Sequence, residues 1–278
     1  MTSPDREIKR QVREFYNQVG WQEISEGLYQ NARYEDLRPV SQEYIHRCHM
    51  RVMRYLAPAG RFLLDAGSGP IQYPEYLEYS RGYQQRVCAD ISHTALKEAQ
   101  KRLGEKGLYV VADVTRLPFA ADRFDGLVSL HTIHHLPVSE HLDAYLDLYR
   151  VLAPDRTAVV VNGWDTSPLM DFFDRIKARL KGRKGNPRAN GYLENTAEED
   201  SRGTFVNKNN PAWLKQALDG RFRYKIRVWR SASTNFLRFF IRTRWGGRAW
   251  LRLLFWLEDR FPRFFGEKGL YPMVVITK

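Results

Sequence analysis

Three aspartates each end an apolar segment that has the composition of a β-strand. Asp65 follows RFLL, Asp90 follows QRVCA and Asp113 follows LYVVA. A carboxylate accepts hydrogen bonds from hydroxyl, amino and ammonium groups. One such aspartate is ordinary, because aspartate caps helices and forms turns. Three in succession favour a site for one ligand that carries several donors.

A glycine turn follows the first of these aspartates, at Gly67-Ser68-Gly69. Glycine allows a ligand to approach the backbone closely. A dinucleotide-binding loop would need a third glycine where this chain has Gln72, and Pro70 has no N–H to offer a phosphate. Asp90 lies 21 residues after Gly69, the approximate spacing of an acid that binds ribose hydroxyls. The pattern therefore disfavours a phosphate and is compatible with a ligand that has an adenosine end.

Three histidines follow the fourth strand candidate, as His131, His134 and His135. His131 comes directly after the strand, where its side chain would face the ligand cleft. We predict that it acts as a base or orients a second substrate, and the alternative is a polar residue that packs beside the ligand. No Asp, Glu or Cys lies at a nearby metal-ligand spacing, so we expect no metal.

The elements that must position these residues alternate between strands and helices. This alternation predicts parallel strands in a doubly wound α/β sheet, with the ligand at the carboxyl ends of the strands. Helical periodicity over 4–19 and 41–57 precedes the sheet, and the polar stretch 181–203 predicts an exposed loop. The strand candidates are 61–66, 85–90, 108–113, 124–130, 157–163, 222–230 and 271–278, and helices are predicted at 93–104, 139–152, 168–181 and 211–220.

In this order, the motifs resemble those of the class I S-adenosylmethionine-dependent methyltransferases, in particular the subgroup that acts on small molecules, quinones and lipids. The resemblance covers about 61–163 and rests on LLDAGSGP, CADIS and ADVTRLPFAADRFDGLVSLHTIHHL. It implies a mostly parallel seven-stranded sheet with an N-terminal helical lid and a helical insert before the last strand. The expected division is a lid over 1–60, a cofactor-binding core over 61–165 and a C-terminal part over 166–278 that completes the sheet.

The same resemblance implies roles for individual residues. The glycine turn would line the methionine part of the cofactor, Asp65 would hold its ammonium group, and Asp90 would bind the ribose. Two aromatic residues would belong to the lid, and His134 would stand near the acceptor in a mainly structural role. The implied cofactor-binding residues are Asp65, Gly67, Ser68, Gly69, Asp90, Ile91, Asp113, Val114 and Leu130, and the implied lid residues are Tyr16 and Trp21.

Charge is distributed unevenly along the chain. Residues 166–278 hold 24 Lys and Arg but only 10 Asp and Glu, whereas 1–165 hold 20 and 22. Within the basic part, 234–265 interleaves arginines with Phe and Trp, and its pattern predicts two helices broken at Gly246-Gly247. This insert could wall the acceptor pocket, bind a membrane surface, or form a dimer or nucleic-acid surface. The run Ser129-Leu130-His131-Thr132 stands where methylases of nucleobases and amides carry an Asn/Asp-Pro-Pro-aromatic run, which argues against a nucleic-acid substrate.

Several observations bear on location and reaction. The two cysteines match no metal or redox spacing, the charged N-terminus has no apolar signal segment, and no apolar run is long enough to span a membrane. We therefore expect a cytoplasmic enzyme, peripheral to the membrane if the insert binds lipid. The sequence leaves open the acceptor, the methylated atom (O, C or N) and the oligomeric state. An RNA or protein methyltransferase, or a cofactor-binding protein without methyl transfer, remains as an alternative.

Overall fold

The central feature of the molecule is a seven-stranded sheet. The structure is a computed structural model that describes residues 3–21, 23–25, 28–29, 35–180 and 204–278. A two-stranded antiparallel hairpin, β1 (Glu23–Ser25) with β2 (Leu28–Tyr29), precedes it. The strands of the large sheet are β3 (Gly60–Ala66), β4 (Tyr83–Asp90), β5 (Gly107–Val111), β6 (Gly126–Leu130), β7 (Thr157–Val161), β8 (Arg223–Arg230) and β9 (Tyr271–Thr277).

The strand order in the sheet is β5-β4-β3-β6-β7-β9-β8. The five strands from β3 to β7 pair in parallel, and β9 runs antiparallel to both of its neighbours, β7 and β8. The order reverses at β3, from which the chain first runs outward to β5 and then returns to β6 on the other side. This confirms the predicted doubly wound, mostly parallel sheet, and such a reversal point is where ligands bind in open α/β sheets.

Helices cover both faces of the sheet, as a buried parallel sheet requires. One core packs α5 (His141–Val151) and α7 (Pro211–Leu218) on side chains such as Leu127 and Val160, and the other packs α3 (Pro74–Glu78) and α4 (His93–Leu103) on Leu63 and Val128. The helices are α1 (Ser3–Phe15), α2 (Gln42–Met50), α3 (Pro74–Glu78), α4 (His93–Leu103), α5 (His141–Val151), α6 (Pro168–Leu180), α7 (Pro211–Leu218), α8 (Thr234–Phe240), α9 (Gly247–Arg260) and α10 (Pro262–Lys268).

Two helical regions differ from the sequence prediction. The first predicted helix is an α-helix only to Phe15 and continues as a π-helical turn over Tyr16–Gly20. The aromatic insert, expected as two helices, contains three, because Phe261 ends α9 and Pro262 begins α10. Proline lacks an N–H and therefore fits the first position of a new helix rather than the interior of one. The predicted loop at 181–203 lies outside the described residues.

The insert is fixed to the sheet by a buried ionic cluster around Arg51 and Glu258. The guanidinium of Arg51 donates to Glu258 Oε2 at 2.9 Å and to the carbonyl oxygen of Trp229 at 2.8 Å. Glu258 Oε1 accepts from Tyr44 Oη at 2.8 Å and from the backbone N–H of Ser231 at 2.9 Å. One side of α9 is thus bound to α2 and to the end of β8.

No helix in the described part of the chain combines the length and apolarity that crossing a membrane requires.

Candidate functional site

The three predicted carboxylates lie at one edge of the sheet, next to the reversal point. Asp65 belongs to the last residues of β3, Asp90 ends β4, and Asp113 follows β5 by two residues. The three strands are neighbours and run in parallel, so their carboxyl ends meet at the same edge. The sequence spacing has therefore placed three acids side by side.

The glycine turn after β3 depends on backbone conformations that favour glycine. Gly67 and Gly69 have φ values of 75° and 54°. A Cβ on Gly67 would lie 2.2 Å from Oγ1 of Thr132, and one on Gly69 would lie 3.0 Å from the indole ring of Trp21. The turn is therefore closed against the loop after β6 on one side and against the N-terminal segment on the other.

Asp90 connects this turn to the start of α4. Its Oδ2 accepts from the backbone N–H of Gly69 at 2.9 Å, and its Oδ1 accepts from the backbone N–H of Ser92 at 2.8 Å. Burial raises the pKa of Asp90 to about 6, although these two N–H groups act in the opposite direction. Each carboxylate oxygen keeps a second lone pair, so the group can still accept from two further donors.

Asp65 is paired with a cation that the sequence analysis did not identify. Its Oδ2 accepts from both Nε and Nη2 of Arg86, a residue of the neighbouring strand β4, and the Nε distance is 3.1 Å. Both side chains are almost completely buried. The pair fixes the orientation of Asp65 and engages only one of its two oxygens.

Asp113 is held by the N-terminal helix. Its Oδ1 accepts from the backbone N–H and the hydroxyl of Thr115, at 2.9 and 2.8 Å. Its Oδ2 accepts from Nζ of Lys9, on α1, at 2.5 Å. The same ammonium group is ion-paired with Glu140 and donates to Oγ1 of Thr115 at 3.0 Å. A buried lysine that joins two carboxylates thus anchors α1 over the end of β5.

The rest of the N-terminal segment contacts the other parts of this edge. Asn17 Oδ1 accepts from the hydroxyl of Ser92 at 2.7 Å, directly beside Asp90. The ring of Tyr16 stacks on that of Trp21 with centroids 5.2 Å apart, and the Tyr16 hydroxyl donates to Nε2 of His135 at 2.8 Å. The segment predicted as a lid therefore contacts the glycine turn and the histidine loop as well as the ends of β4 and β5.

His131 lies at the end of β6 with a left-handed backbone conformation, φ 58°. Such a conformation costs about 1–3 kcal/mol for a non-glycine residue and is most frequent at functional sites. Its ring contacts Trp229 and Tyr271, with centroid distances of 5.1 and 5.6 Å. Burial, followed by the nearby His49 and Lys208, lowers the pKa of His131 to about 3. The imidazole is therefore neutral at physiological pH, and its burial disfavours the protonated form.

The two following histidines are held by other parts of the chain. Nδ1 of His134 donates to Oδ1 of Asn162 at 3.2 Å, and Nδ1 of His135 donates to the carbonyl oxygen of Phe205 at 2.8 Å. Burial lowers the pKa of both imidazoles, that of His135 to about 4. Both histidines therefore join neighbouring segments as neutral groups.

The remaining predicted positions lie along the same edge. Val114 is buried, whereas Ile91, Leu130 and Ser68 are partly exposed. Lys9, Arg86, Trp229, Arg230 and Tyr271 were missed by the sequence analysis. Lys9 is one of several basic residues on an amphipathic helix, and the others lie in strands whose pairing partners the sequence does not reveal. Within the described ranges, no three His, Cys, Asp or Glu side chains converge in the way that a metal requires.

Comparisons with known proteins agree with this arrangement. A methyltransferase-domain family model matches residues 64–160. The chain is 34% identical over 115 residues to a malonyl-[acyl-carrier protein] O-methyltransferase of Legionella pneumophila, which covers 40% of each chain. It is 30% identical over 155 residues to a ubiquinone/menaquinone biosynthesis C-methyltransferase of Cereibacter sphaeroides, which covers 52% of this chain and 60% of that protein. The matches therefore span about half the length of these relatives.

A solved structure extends the similarity to the whole chain. Geranyl diphosphate C-methyltransferase from Streptomyces coelicolor, in complex with Mg²⁺, geranyl diphosphate and S-adenosyl-L-homocysteine, superimposes with a TM-score of 0.55 at 15% identity and covers 99% of both chains. At that identity the likeness concerns the fold alone. Sheet order, motif order and the family match agree: residues 64–160 match the methyltransferase-domain family, and the chain has the fold of that solved methyltransferase.

Proposed function

We propose that this protein is an S-adenosylmethionine-dependent methyltransferase that acts on a small-molecule or lipid-like acceptor. The observation that carries the proposal is the convergence of Asp65, Asp90 and Asp113 around the left-handed turn at Gly67–Gly69. A ligand with an ammonium group, two ribose hydroxyls and an adenine amino group offers hydrogen-bond donors to the three carboxylates. The glycine turn lets such a ligand approach the backbone closely. Pro70 argues against a pyrophosphate at the same turn.

The free hydrogen-bonding capacity of the acids supports these roles. Asp90 has one lone pair left on each oxygen, which suits the two adjacent hydroxyls of a ribose. Asp65 has Oδ1 left for the ammonium group, because Arg86 engages Oδ2. We assign Gly67, Ser68 and Gly69 to the methionine part, Ile91 and Val114 to the faces and edge of the adenine, and the Leu130 backbone to the ammonium end.

The bound cofactor supplies an activated methyl group, so the protein mainly has to align the acceptor with it. We assign His131 as the base or as the group that orients the acceptor, because its ring lies at the end of β6 beside Trp229 and Tyr271. A positioned base contributes about 10²–10⁴ in rate when the acceptor must lose a proton. Tyr16 and Trp21 belong to the lid that excludes water, and His134 holds the loop in place through Asn162.

The acceptor belongs on the half of the sheet formed by β6, β7, β9 and β8, because the acids assigned to the cofactor occupy the other half. There α2 and the insert cover the end of β8 through the Arg51–Glu258 cluster. One relative is a malonyl-[acyl-carrier protein] O-methyltransferase, and the other is a C-methyltransferase of ubiquinone/menaquinone biosynthesis. We therefore propose an apolar acceptor methylated at oxygen or carbon.

The outer side of the insert supports association with an anionic membrane surface. Trp245, Trp250 and Trp256 are 72, 62 and 59% exposed. Arginines stand between and beside them, at Arg242, Arg244, Arg248, Arg252 and Arg260. Aromatic side chains suit the boundary of headgroups and acyl chains, and arginines suit anionic headgroups. We propose a cytoplasmic enzyme that meets such a surface with this side of α9, and its two free, buried cysteines suit a reducing compartment.

Calorimetry and methyl transfer test the proposed reaction. The protein should bind S-adenosylmethionine and S-adenosylhomocysteine but not NADH, and it should transfer radiolabelled methyl groups to a lipid or metabolite extract. Asp90→Ala should abolish most of the cofactor affinity. His131→Ala should lower turnover by about 10²-fold with little change in cofactor affinity. Binding of NADH in place of the two sulfur compounds would overturn the proposal.

Vesicle sedimentation tests the membrane contact. Wild-type protein should sediment with vesicles that contain phosphatidylserine, less so at high salt, and the triple variant of Trp245, Trp250 and Trp256 to serine should remain in the supernatant. If the triple variant sediments as wild type does, these tryptophans do not form the membrane contact. Salt-dependent binding to RNA without vesicle binding would favour the RNA methyltransferase alternative.

A further inference from the structure

Two residues at the end of β8 lie at the edge of the sheet to which the methyl acceptor is assigned. Trp229 and Arg230 are the last two residues of β8, and Tyr271 opens the neighbouring antiparallel strand β9. Because β9 is antiparallel, its first residue lies at the same edge as the last residues of β6 and β8. His131, Trp229, Arg230 and Tyr271 therefore share one edge of the sheet.

These four residues form one contact group, which we call the acceptor-side cluster. His131 contacts the rings of Trp229 and Tyr271, at 5.1 and 5.6 Å between centroids. The guanidinium carbon of Arg230 lies 5.4 and 4.8 Å from the centroids of the same two rings. The proposed base and a buried guanidinium thus contact the same pair of aromatic rings.

Two hydrogen-bond donors in this cluster have no partner among the residues that the structure describes. They are Nε1 of Trp229 and Nε of Arg230, in side chains of residues that are 1 and 2% exposed. Both groups can only donate. A buried donor without a partner is costly, so native proteins rarely leave two of them together. An oxygen acceptor would satisfy both donors.

The charges around the cluster favour a neutral oxygen over a carboxylate. Arg230 is ion-paired with Glu35, and both side chains are almost fully buried. His49, whose ring stacks on Trp229 with centroids 5.2 Å apart, lies 3.6 Å from the other carboxylate oxygen of Glu35. Because Glu35 already balances the guanidinium, a second buried carboxylate would lack a counter-charge of its own. A carbonyl oxygen satisfies the two donors without that cost.

We propose that Trp229 Nε1 and Arg230 Nε bind a carbonyl oxygen of the acceptor, one that is conjugated to the atom that receives the methyl group. This inference rests on the proposed function. Nε2 or Nδ1 of His131 takes the proton from the acceptor C–H or enol O–H, and the negative charge spreads onto the carbonyl oxygen. The acceptor atom then bonds to the methyl carbon while the sulfur–methyl bond breaks, its electron pair stays on sulfur, and S-adenosylhomocysteine remains.

The hydrogen bonds from Trp229 Nε1 and Arg230 Nε would strengthen most as negative charge develops on the carbonyl oxygen. Donors that are already in place at a developing oxyanion lower the barrier, because they need not reorganise during the reaction. The acceptor class is therefore an enolisable carbonyl compound or its enol. Trp229 and Arg230 become residues that contact the substrate.

Fragment binding to the protein saturated with S-adenosylhomocysteine tests this inference without turnover. The probes are acetylacetone, a small enolisable diketone, and pentane-2,4-diol, which has the same carbon skeleton without carbonyl groups. Ligand-observed NMR gives the affinities, and the near-ultraviolet difference spectrum gives the enolate fraction of the diketone. Wild-type protein should bind the diketone about tenfold more tightly than the diol and should raise the enolate fraction.

Two substitutions isolate the donors. Trp229→Phe keeps a ring but removes the indole N–H, and Arg230→Lys keeps a cation for Glu35 but removes Nε–H. Each should weaken diketone binding about tenfold, the contribution of one hydrogen bond in a buried site, and should leave diol binding unchanged. Trp213→Phe, on the opposite face of the sheet, is the matched control and should bind the diketone as wild type does.

The possible failures can be told apart. If the wild-type protein binds both probes equally, or if the two variants bind the diketone as tightly as wild type, water fills the donor pair and the inference is wrong. If the wild-type protein does not bind S-adenosylhomocysteine, the proposed function itself is wrong. The affinity of each variant for S-adenosylhomocysteine shows whether its fold is intact.

Discussion

Lys9 on the N-terminal helix and Asp113 after β5 form a buried ion pair, with Nζ 2.5 Å from Oδ2. Lys9 also pairs with Glu140, so one ammonium group separates two carboxylates. The segment that we propose as the lid is thus held by the acid that we assign to the adenine, and we expect closure of the lid to depend on the ionisation of that acid. Oδ2 of Asp113 keeps a lone pair for the adenine amino group.

Lys9→Met should open the lid and weaken cofactor binding. Without the ammonium group, Asp113 and Glu140 face each other uncompensated, and breaking a buried pair is costly. We expect about tenfold weaker binding of S-adenosylhomocysteine by calorimetry, together with faster tryptic cleavage within 3–21. Lys9→Arg should retain most of the affinity. Lys101→Met removes an exposed lysine of α4 and serves as the control, and equal affinities for Lys9→Met and this control would contradict the coupling.

Cofactor affinity should depend on pH through Asp90. Burial raises the pKa of this carboxyl to about 6, and only the ionised group accepts freely from both ribose hydroxyls. Affinity should therefore be constant above about pH 7 and fall below pH 6 by up to about tenfold per pH unit. Calorimetry between pH 5 and 8 measures this. Asp90→Asn should bind weakly at every pH, and a wild-type affinity that does not change down to pH 5 would count against the assignment.

The raised pKa of Asp90 also affects the folding stability of the cofactor-free protein. This stability should depend on pH in the opposite direction from the cofactor affinity. A carboxyl whose pKa is higher in the folded than in the unfolded state favours folding when it is protonated. Asp90 should therefore destabilise the free protein as the pH rises from about 4 through 6, and Asp90→Asn should remove this contribution. Thermal unfolding of wild type and variant across that range, without cofactor, gives the comparison.

Gly67→Ala should damage the site more than a substitution at an equally left-handed glycine elsewhere. Gly67 has φ 75° and Gly220 has φ 68°. A Cβ on Gly67 would meet Thr132 at 2.2 Å, whereas one on Gly220 would meet nothing within 4 Å. Gly220→Ala should cost about 1 kcal/mol of unfolding free energy and leave cofactor affinity intact. Gly67→Ala should cost more and should abolish binding of S-adenosylhomocysteine, and similar behaviour of the two variants would refute the role of the turn.

Glu258→Gln should destabilise the protein strongly. Glu258 is completely buried and accepts from Arg51, Tyr44 and Ser231. Removing one charge of a buried pair costs about 3–5 kcal/mol. Glu43→Gln, which removes an exposed carboxylate paired with Arg252, should change stability by less than about 1 kcal/mol. Urea unfolding compares the two, and equal midpoints would show that the insert is not held by this cluster.

The sequence predicted the sheet well because each strand is a short apolar segment that ends at a polar residue or a turn. Alternation of these segments with helices allows few chain paths, since parallel crossovers have one hand. Asp65, Asp90 and Asp113 could be found for the same reason, because a residue at the end of a parallel strand lies at the ligand edge regardless of distant contacts.

Other features required the tertiary structure. Lys9 is separated from Asp113 by 104 residues, and Arg230 is separated from Glu35 by 195. A helical period shows which face of α1 is apolar but not which carboxylate its lysine meets. Likewise, the alternation of β8 does not show that β9 lies beside it in antiparallel orientation and brings Tyr271 to the edge near His131. Local residue type and spacing thus determined the strands, the acids at their carboxyl ends and the glycine turn, because these features depend on neighbours in sequence. Long-range packing decided the ion pairs, the lid contacts and the unpaired donors, because these depend on which segments meet in space.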